Sequence, residues 1–295
     1  MSRNGNETPP RNAGPGTGVL RVSMGKWRGF MAAELVCTDL LKLFYGHDFP
    51  ARDFPGEVEA VASNIGGTFR VSLPGPDGER RFYAKSFLSR PWLEAVKGAF
   101  TPVEAARSWK AAWIMMEEGI PTPRPVALME QKILGITTRS VFITEAIDHA
   151  KGENLEMHLR ENFDLSPLPK EQVREKREII RKIGEMFRTV HGQDRIYFPD
   201  FHPHNMVCQK TPSGQVSLFL VDFDEVRFKF RKDDRMKNLS SLGRNAVKIQ
   251  KRLERGSITT TDKMRFIKAY LGPGKDGPRQ TRRLCEEIVR NWNLK

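Results

Sequence analysis

The chain has 295 residues, 39% of them hydrophobic, and carries 49 Lys and Arg against 36 Asp and Glu, a net charge of +13. That length and apolar content suit one large domain or two lobes sharing a cleft, and no run approaches the roughly 20 apolar residues of a membrane-spanning helix. Cys37, Cys208 and Cys285 stand far apart and form neither a CxxC metal pair nor a disulfide framework, which fits a reducing compartment, while the excess of positive charge suits an anionic partner: nucleic acid, lipid headgroups or a phosphorylated glycolipid.

Residues 1–18 are rich in Gly, Pro and Asn and lack an apolar core, so they read as a disordered tail rather than a signal peptide. The apolar stretch Phe30 to Phe44 is interrupted by Glu34, Asp39 and Lys42. From Val58 to Phe87 the pattern is β: Thr68 to Leu73 reads as a strand, Pro74 to Gly78 as its turn and Arg80 to Phe87 as the return strand. Gly66 and Gly67 open the first of these strands. A glycine pair there suits a loop over phosphates and equally a loose hairpin, since the GxGxxG pattern is incomplete. Lys85 lies near the centre of the return strand among apolar neighbours, where an ammonium needs a partner.

Thr101 to Glu118 has helical periodicity, with Val103, Ala106, Trp109, Trp113 and Met116 on one face and Gly119 after its end. The proline-rich run from Ile120 is extended, and two strands follow near Ala127 to Glu130 and Ser140 to Ile147. Beyond Asp148 the chain turns helical, with a short helix from Leu155 and a long one from Lys170 to His191 bearing Ile179, Ile183, Met186, Phe187 and Val190 on one face. Two basic, mainly helical stretches close the sequence after Asp224, broken at Gly272-Pro273-Gly274.

The chemistry concentrates between Asp200 and Asp222. The run Asp200-Phe201-His202-Pro203-His204-Asn205 is followed by a hairpin-like stretch and then Leu220-Val221-Asp222-Phe223-Asp224. A carboxylate at Asp200 can orient an attacking hydroxyl. The amide oxygen of Asn205 and the carboxylate of Asp222 are hard donors of the kind magnesium takes when it shares its site with nucleotide phosphates.

With Lys85, Asp200, Asn205 and Asp222 in this order, the chain resembles the protein-kinase-like superfamily, and its wording is closer to small-molecule kinases than to protein kinases. Gly119-Ile120-Pro121-Thr122-Pro123-Arg124-Pro125, Ser140 to Glu145 and Lys237 to Leu242 resemble the lipopolysaccharide kinase family, which includes the Kdo and core-heptose kinases. The likeness spans roughly Val58 to Lys248. It implies an α+β, two-lobed protein-kinase-like fold, with a β-rich N-lobe over 19–147 and a helical C-lobe over 148–295. It also implies Mg-ATP as phosphoryl donor and a sugar hydroxyl of the lipopolysaccharide inner core as acceptor. By the same resemblance Asp200 is the catalytic residue and Asn205 and Asp222 bind Mg2+. Lys85, Gly66 and Gly67 hold phosphates, Glu104 pairs with Lys85, and Glu145 and Ile147 line the adenine. Two departures stand out. Phe198-Pro199 precedes Asp200 where a histidine usually braces the loop, and no acid stands near Ser108, so Glu104 is the nearest helix partner for Lys85.

Other readings stay open. His202 and His204 fall short of a zinc site for want of a further ligand, and His191 reads as a structural cap on helix carbonyls. The alternating run Arg227 to Lys232 reads as a strand with a positive and an aromatic face, either a solvated edge or a surface near the acceptor. Arg244, Lys248, Lys251, Arg252 and Arg255 fall on a helix that is either a plain solvated face or one lying against the inner leaflet, and the chain is expected to be cytoplasmic, with peripheral contact at the cytoplasmic face of the inner membrane. Nucleic acid is not expected as a partner. A small-alcohol or aminoglycoside kinase, a divergent protein kinase and a pseudokinase binding an anionic partner are the rival functions.

Overall fold

The structure is a computed structural model and describes residues 18–36, 39–45, 48–61, 67–75, 78–88, 103–147, 154–192, 195–199, 201–210, 215–231, 233–254, 258–273, 286 and 290. Backbone contacts divide the chain into two compact units. One runs to Glu117 and takes up Pro123–Ala146; the other comprises Glu118–Thr122 and the chain from Ile147 onward.

The first unit is built on a seven-stranded antiparallel sheet: β1 (Val19–Met24), β2 (Trp27–Ala32), β3 (Glu57–Val61), β4 (Gly67–Gly75), β5 (Gly78–Leu88), β6 (Pro125–Ile133) and β7 (Ile136–Glu145), in the spatial order β1-β2-β6-β7-β5-β4-β3. One face of the sheet buries Trp27, Met31, Val71, Phe82, Ala84 and Val126 under Leu35, Leu40, Leu43 and Phe44, which come from two short 3-10 turns at Ala33–Leu35 and Asp39–Phe44. The apolar run from Phe30 to Phe44 is therefore the end of β2 plus this cover, and its charged interruptions lie on the solvent side of the turns. Helix α1 (Glu104–Glu117) lies over β5, β6 and β7. Its Trp109 meets Phe142 of β7 edge to face at 6.4 Å.

Sequence periodicity predicts no strands before Val58, yet β1 and β2 form a hairpin at the sheet edge. The reason lies at Gly29. A Cβ there would stand 1.9 Å from the Leu128 carbonyl oxygen, so β2 approaches β6 at a distance only glycine permits.

The second unit carries α2 (Leu155–Phe163), α3 (Lys170–Gly192), α4 (Asp234–Arg252) and α5 (Thr260–Leu271), with a small hairpin of β8 (Met206–Lys210) and β9 (Val216–Leu220). The apolar face of α3 packs on α5 and β9 and buries Ile179, Ile183, Phe187 and Val190. Gly184 lets the two helices meet, since a Cβ there would lie 2.7 Å from both the Ala269 Cβ and the Phe266 carbonyl oxygen. Residues 118–122 join this unit through backbone and hydroxyl: Leu220 N–H donates to the Pro121 carbonyl at 2.9 Å, and the Thr122 hydroxyl donates to the Leu220 carbonyl at 3.0 Å.

The stretch predicted as an alternating strand from Arg227 to Lys232 is not one. Among its described residues only Arg227 makes a bridge, exchanging backbone hydrogen bonds with Tyr197 at 2.8 and 3.0 Å. Its guanidinium lies 4.3 Å from the Tyr197 ring, and the Arg231 N–H donates to the buried Asp234 carboxylate at 2.9 Å. The run is thus folded down toward α4, its aromatic Phe230 packed on Tyr197 and His191, and Lys232 lies outside the described residues.

Candidate active site

The β8–β9 hairpin brings two of the predicted residues together. Met206 is the register partner of Leu220, so Asn205 and Val221 stand opposite each other just beyond the strands, and the Val221 N–H donates to the Asn205 carbonyl at 2.9 Å. Asp222 is the next residue. Two oxygen donors far apart in sequence therefore project from adjoining positions, because an antiparallel pair closed by a short loop juxtaposes its two outer ends.

Each donor has a distinct local cause. Asn205 ends a single 3-10 turn, Pro203–Asn205, entered through the extended residue His202. Pro203 fixes the first dihedral of the turn, and the Asn205 N–H closes onto the His202 carbonyl at 3.0 Å. Asp222 is exposed, with φ at +64°. A left-handed backbone costs a non-glycine residue about 1 kcal/mol and Asp tolerates it better than most. The neighbouring Phe223 supplies the restraint: it is 2% exposed and packs edge to face on Phe198 with centroids 5.8 Å apart. A buried anchor thus holds an exposed carboxylate in a strained conformation, a feature that gathers at functional sites.

Asp200 lies outside the described residues, but both of its flanks are fixed. Phe201 is fully buried and stacks on Phe187 at 3.7 Å, and Phe198 is 1% exposed and packs on Phe201 and Phe223. The Phe198 carbonyl accepts a hydrogen bond from the Asn238 side-chain amide at 2.8 Å. The Asn238 carbonyl oxygen faces His191 Nε2 at 3.2 Å, and His191 Nδ1 lies 3.0 Å from the Tyr270 hydroxyl.

Because the Asn238 amide nitrogen is used on Phe198, its oxygen must accept from His191, which fixes the neutral Nε2–H tautomer with Nδ1 accepting from Tyr270. Burial pushes the His191 pKa down to about 4, against the favourable pull of Asn238. His191 is structural, as its position suggests, but it caps no carbonyls; its own carbonyl accepts from Arg235 at 2.9 Å. The bracing that a histidine before Asp200 would give is supplied here by an aromatic cluster and Asn238. Sequence reasoning did not single out Asn238 for a role. The available signal was a polar residue one turn before Leu242 on the buried side of α4.

The other predicted residues sit in the first unit or at its edge. Lys85 is half-buried, with its ammonium 5.6 Å from the Phe87 ring centre. Its register partners are Thr68 and Phe142, so it projects from the sheet face that carries α1. Gly67 opens β4 opposite Ser86, one pair away from Lys85; Gly66 lies outside the described residues. Glu104 stands at the first position of α1. The Glu145 carboxylate is held by Arg80 at 3.4 Å and Arg124 at 3.6 Å, and Arg124 also pairs with Glu34. The Glu145 N–H donates to the Arg124 carbonyl and the Ala146 N–H to the Arg81 carbonyl, both at 2.9 Å. Both amides are therefore committed within the unit before the chain reaches Ile147.

His204 is half-exposed, with Nε2 2.7 Å from the Glu156 carboxylate, and among the described residues no three His, Cys, Asp or Glu side chains cluster as metal ligands. Cys208 is buried, and burial pushes its thiol up to about 12. A cavity of about 310 Å3 is lined by Lys176, Arg177, Asp262 and Arg265 with Leu165 and Val173, none of them a predicted site residue. Among the described residues no helix is long and apolar enough to cross a membrane.

The sequence profile of the lipopolysaccharide kinase (Kdo/WaaP) family matches residues 68–270. Among curated proteins, the 3-deoxy-D-manno-octulosonic acid kinase of Haemophilus influenzae strain PittEE is 31% identical over 153 residues, which cover 50% of this chain and 57% of that one. The enzyme of the same name from Actinobacillus succinogenes is 25% identical over 213 residues, covering 70% and 80%. The match thus spans little more than half the length of the first of these relatives. Among solved structures, WaaP in complex with acyl carrier protein is similar with a TM-score of 0.52 and 19% identity, over 79% of this chain and 89% of that one. This likeness is one of fold, and it gives the chain an α+β, protein-kinase-like architecture.

Proposed function

The chain belongs to the lipopolysaccharide kinase (Kdo/WaaP) family, and from that membership we propose that it moves the γ-phosphoryl group of ATP to a hydroxyl of an inner-core sugar of lipopolysaccharide. The observation that carries the reading is the hairpin that sets Asn205 beside Asp222. The amide and carboxylate oxygens at these positions fit magnesium, with the nucleotide phosphates completing its shell. When bound there, magnesium supplies neutralisation of the phosphate charge.

In this reading Asp200 accepts the proton of the acceptor hydroxyl and aims its oxygen at the phosphorus. Phe198 and Phe201, which flank it in sequence, are buried. Lys85, with Gly66 and Gly67, holds the phosphates. Since the Glu145 and Ala146 amides are already bonded, the backbone donor for adenine is assigned to Ile147. Positioning and charge neutralisation carry most of the rate in such a reaction.

Kdo is the proposed acceptor rather than heptose, because the curated relatives are 3-deoxy-D-manno-octulosonic acid kinases. Use of ATP places the reaction in the cytoplasm, and a lipid-anchored acceptor places it at the membrane face. Helix α4 supports that contact. Arg244, Lys248 and Lys251 recur along one exposed face and form no ion pair with any described residue, whereas Arg181 and Lys182 of α3 are paired with Glu178 and Glu185. Arg252 of the predicted basic set is instead paired with Glu156, and Arg255 lies outside the described residues.

The test is transfer of labelled γ-phosphate from Mg-ATP to purified short-core lipopolysaccharide by wild type and Asp200→Ala. Label that appears in the glycolipid and vanishes in the variant is the expected result. Folded wild-type protein that binds ATP and labels nothing rejects this acceptor. A second reading, a nucleotide-binding protein without transfer, is favoured by one observation, Phe198 and Pro199 standing before Asp200 where a histidine usually braces the loop. ATP binding with no transfer to glycolipid, protein or small alcohol would select it.

A further inference from the structure

Glu156 is 6% exposed and lies in the first turn of α2, whose start is capped by the Asn154 side chain accepting from the Met157 N–H at 3.1 Å. A carboxylate this buried needs strong compensation. It receives three kinds. The helix N-terminus favours negative charge, the Arg252 guanidinium at the end of α4 binds Oε1, and His204 Nε2 lies 2.7 Å from Oε2. One carboxylate therefore ties together α2, α4 and the 3-10 turn Pro203–Asn205. His204 is the middle residue of that turn and directly precedes Asn205.

Glu175 makes a useful contrast. It is a carboxylate of similar burial, its side chain 13% exposed, and it too pairs with a histidine and a base: His158 at 3.1 Å and Lys210 at 2.7 Å. Those partners lie on α2 and at the far end of β8, away from the turn. If Glu156 served only to join helices, it would be interchangeable in role with Glu175. What sets it apart is that one of its two oxygens is spent on the segment that delivers Asn205.

We propose that Glu156 is a positioning residue for the metal-binding turn: through His204 it fixes Asn205 in the orientation that ligates magnesium. The proposal rests on the phosphotransfer reading above. Asn205 is the donor that the turn delivers, and the backbone of the turn is held by the Asn205 N–H on the His202 carbonyl, the Met206 N–H on the Pro203 carbonyl and the Val221 N–H on the Asn205 carbonyl, while His204 on Glu156 holds it through a side chain. Removing the side-chain tie leaves those backbone bonds and the hairpin in place and loosens the turn at His204, next to Asn205. Loss of a group that orients a metal ligand typically costs about 10-fold or more in metal affinity.

The test is calorimetric binding of ATP across a magnesium titration, on the full chain, for wild type, Glu156→Gln, His204→Asn and Glu175→Gln. Glu156→Gln and His204→Asn are expected to raise the magnesium concentration for half-maximal nucleotide binding about 10-fold. Glu175→Gln should leave it unchanged even where it lowers the melting temperature as much as Glu156→Gln does. The positioning role is overturned if Glu156→Gln and His204→Asn bind with the wild-type magnesium requirement, or if Glu175→Gln shifts it equally. His204 has a half-exposed side chain, so its variant keeps the test open should Glu156→Gln fail to fold. Wild-type protein that shows no magnesium-dependent ATP binding would reject the phosphotransfer reading itself.

Discussion

The side-chain amide of Asn238 donates to the backbone carbonyl of Phe198 at 2.8 Å, and so ties helix α4 to the segment leading into Asp200. The same side chain accepts from His191, which accepts in turn from Tyr270. Four buried polar groups from four chain segments are thereby satisfied in one line, and none has access to water as a substitute partner.

Replacing Asn238 with Ala removes a donor and an acceptor together and strands the Phe198 carbonyl and the His191 N–H. A loss of about 2 to 4 kcal/mol is expected, one desolvation penalty for each stranded group. Urea unfolding followed by circular dichroism measures it. A loss under about 0.5 kcal/mol would mean that the line of hydrogen bonds does not brace the loop.

His191 gives a pH dependence of defined sign. Its pKa is about 4 in the folded chain and about 6.5 unfolded, so between these values the unfolded chain takes up the proton and the folded chain does not. Stability contributed by the neutral ring is therefore complete above pH 6.5 and lost as pH falls toward 4, by an amount on the order of 3 kcal/mol. Unfolding midpoints at pH 7, 5.5 and 4 should fall more steeply for wild type than for His191→Gln. Parallel curves would place the acid sensitivity elsewhere.

Asp222 is best tested by Asn, since Asn accepts a left-handed backbone as readily as Asp whereas Ala does not. Asp222→Asn should melt within a few degrees of wild type and lose at least about 100-fold in phosphoryl transfer, the scale on which removing electrostatic stabilisation acts. Transfer is read with labelled Mg-ATP and short-core lipopolysaccharide. A folded variant with near wild-type turnover removes Asp222 from the metal site.

Gly184 tests the α3–α5 contact. In Gly184→Ala, better helix propensity stabilises by about 1 kcal/mol, but the added methyl sits 2.7 Å from Ala269 Cβ and from a backbone oxygen that cannot move without α5. Overpacking of this kind costs about 1 to 3 kcal/mol, so net destabilisation is expected. Gly192→Ala, with nothing within 4 Å of its Cβ, serves as the neutral control in the same thermal melts. Equal melting temperatures for the two variants would show that α3 and α5 are not in contact at Gly184.

The fold class was legible in the sequence, and Asn205 and Asp222 could be proposed from it, because both readings depend on short-range patterns. The 3.6-residue apolar spacing of α3 and the alternation of β4 and β5 follow from local geometry, and an Asp, an Asn and a second Asp flanking a hairpin form a compact signature. What stayed hidden lies at long sequence separation. The β1–β2 hairpin owes its place to one glycine close to β6, which no periodicity reports. The basic run after Asp224 alternates as a strand would, but Asp234 and the aromatic packing of Phe230 bend it away.

By itself, then, the sequence determined which residues can supply phosphotransfer chemistry and in what order, since side-chain type and spacing set donor identity. Only the tertiary structure decided what holds them. Phe198 looked like the loss of a bracing histidine, yet it is braced by Phe223, Phe201 and Asn238. Glu156 has no motif around it to mark it in the sequence, yet in the fold its carboxylate meets His204, the neighbour of Asn205. Burial and pairing are properties of groups that meet from distant segments, and a carboxylate or an amide acquires its role only once water has been replaced by those partners.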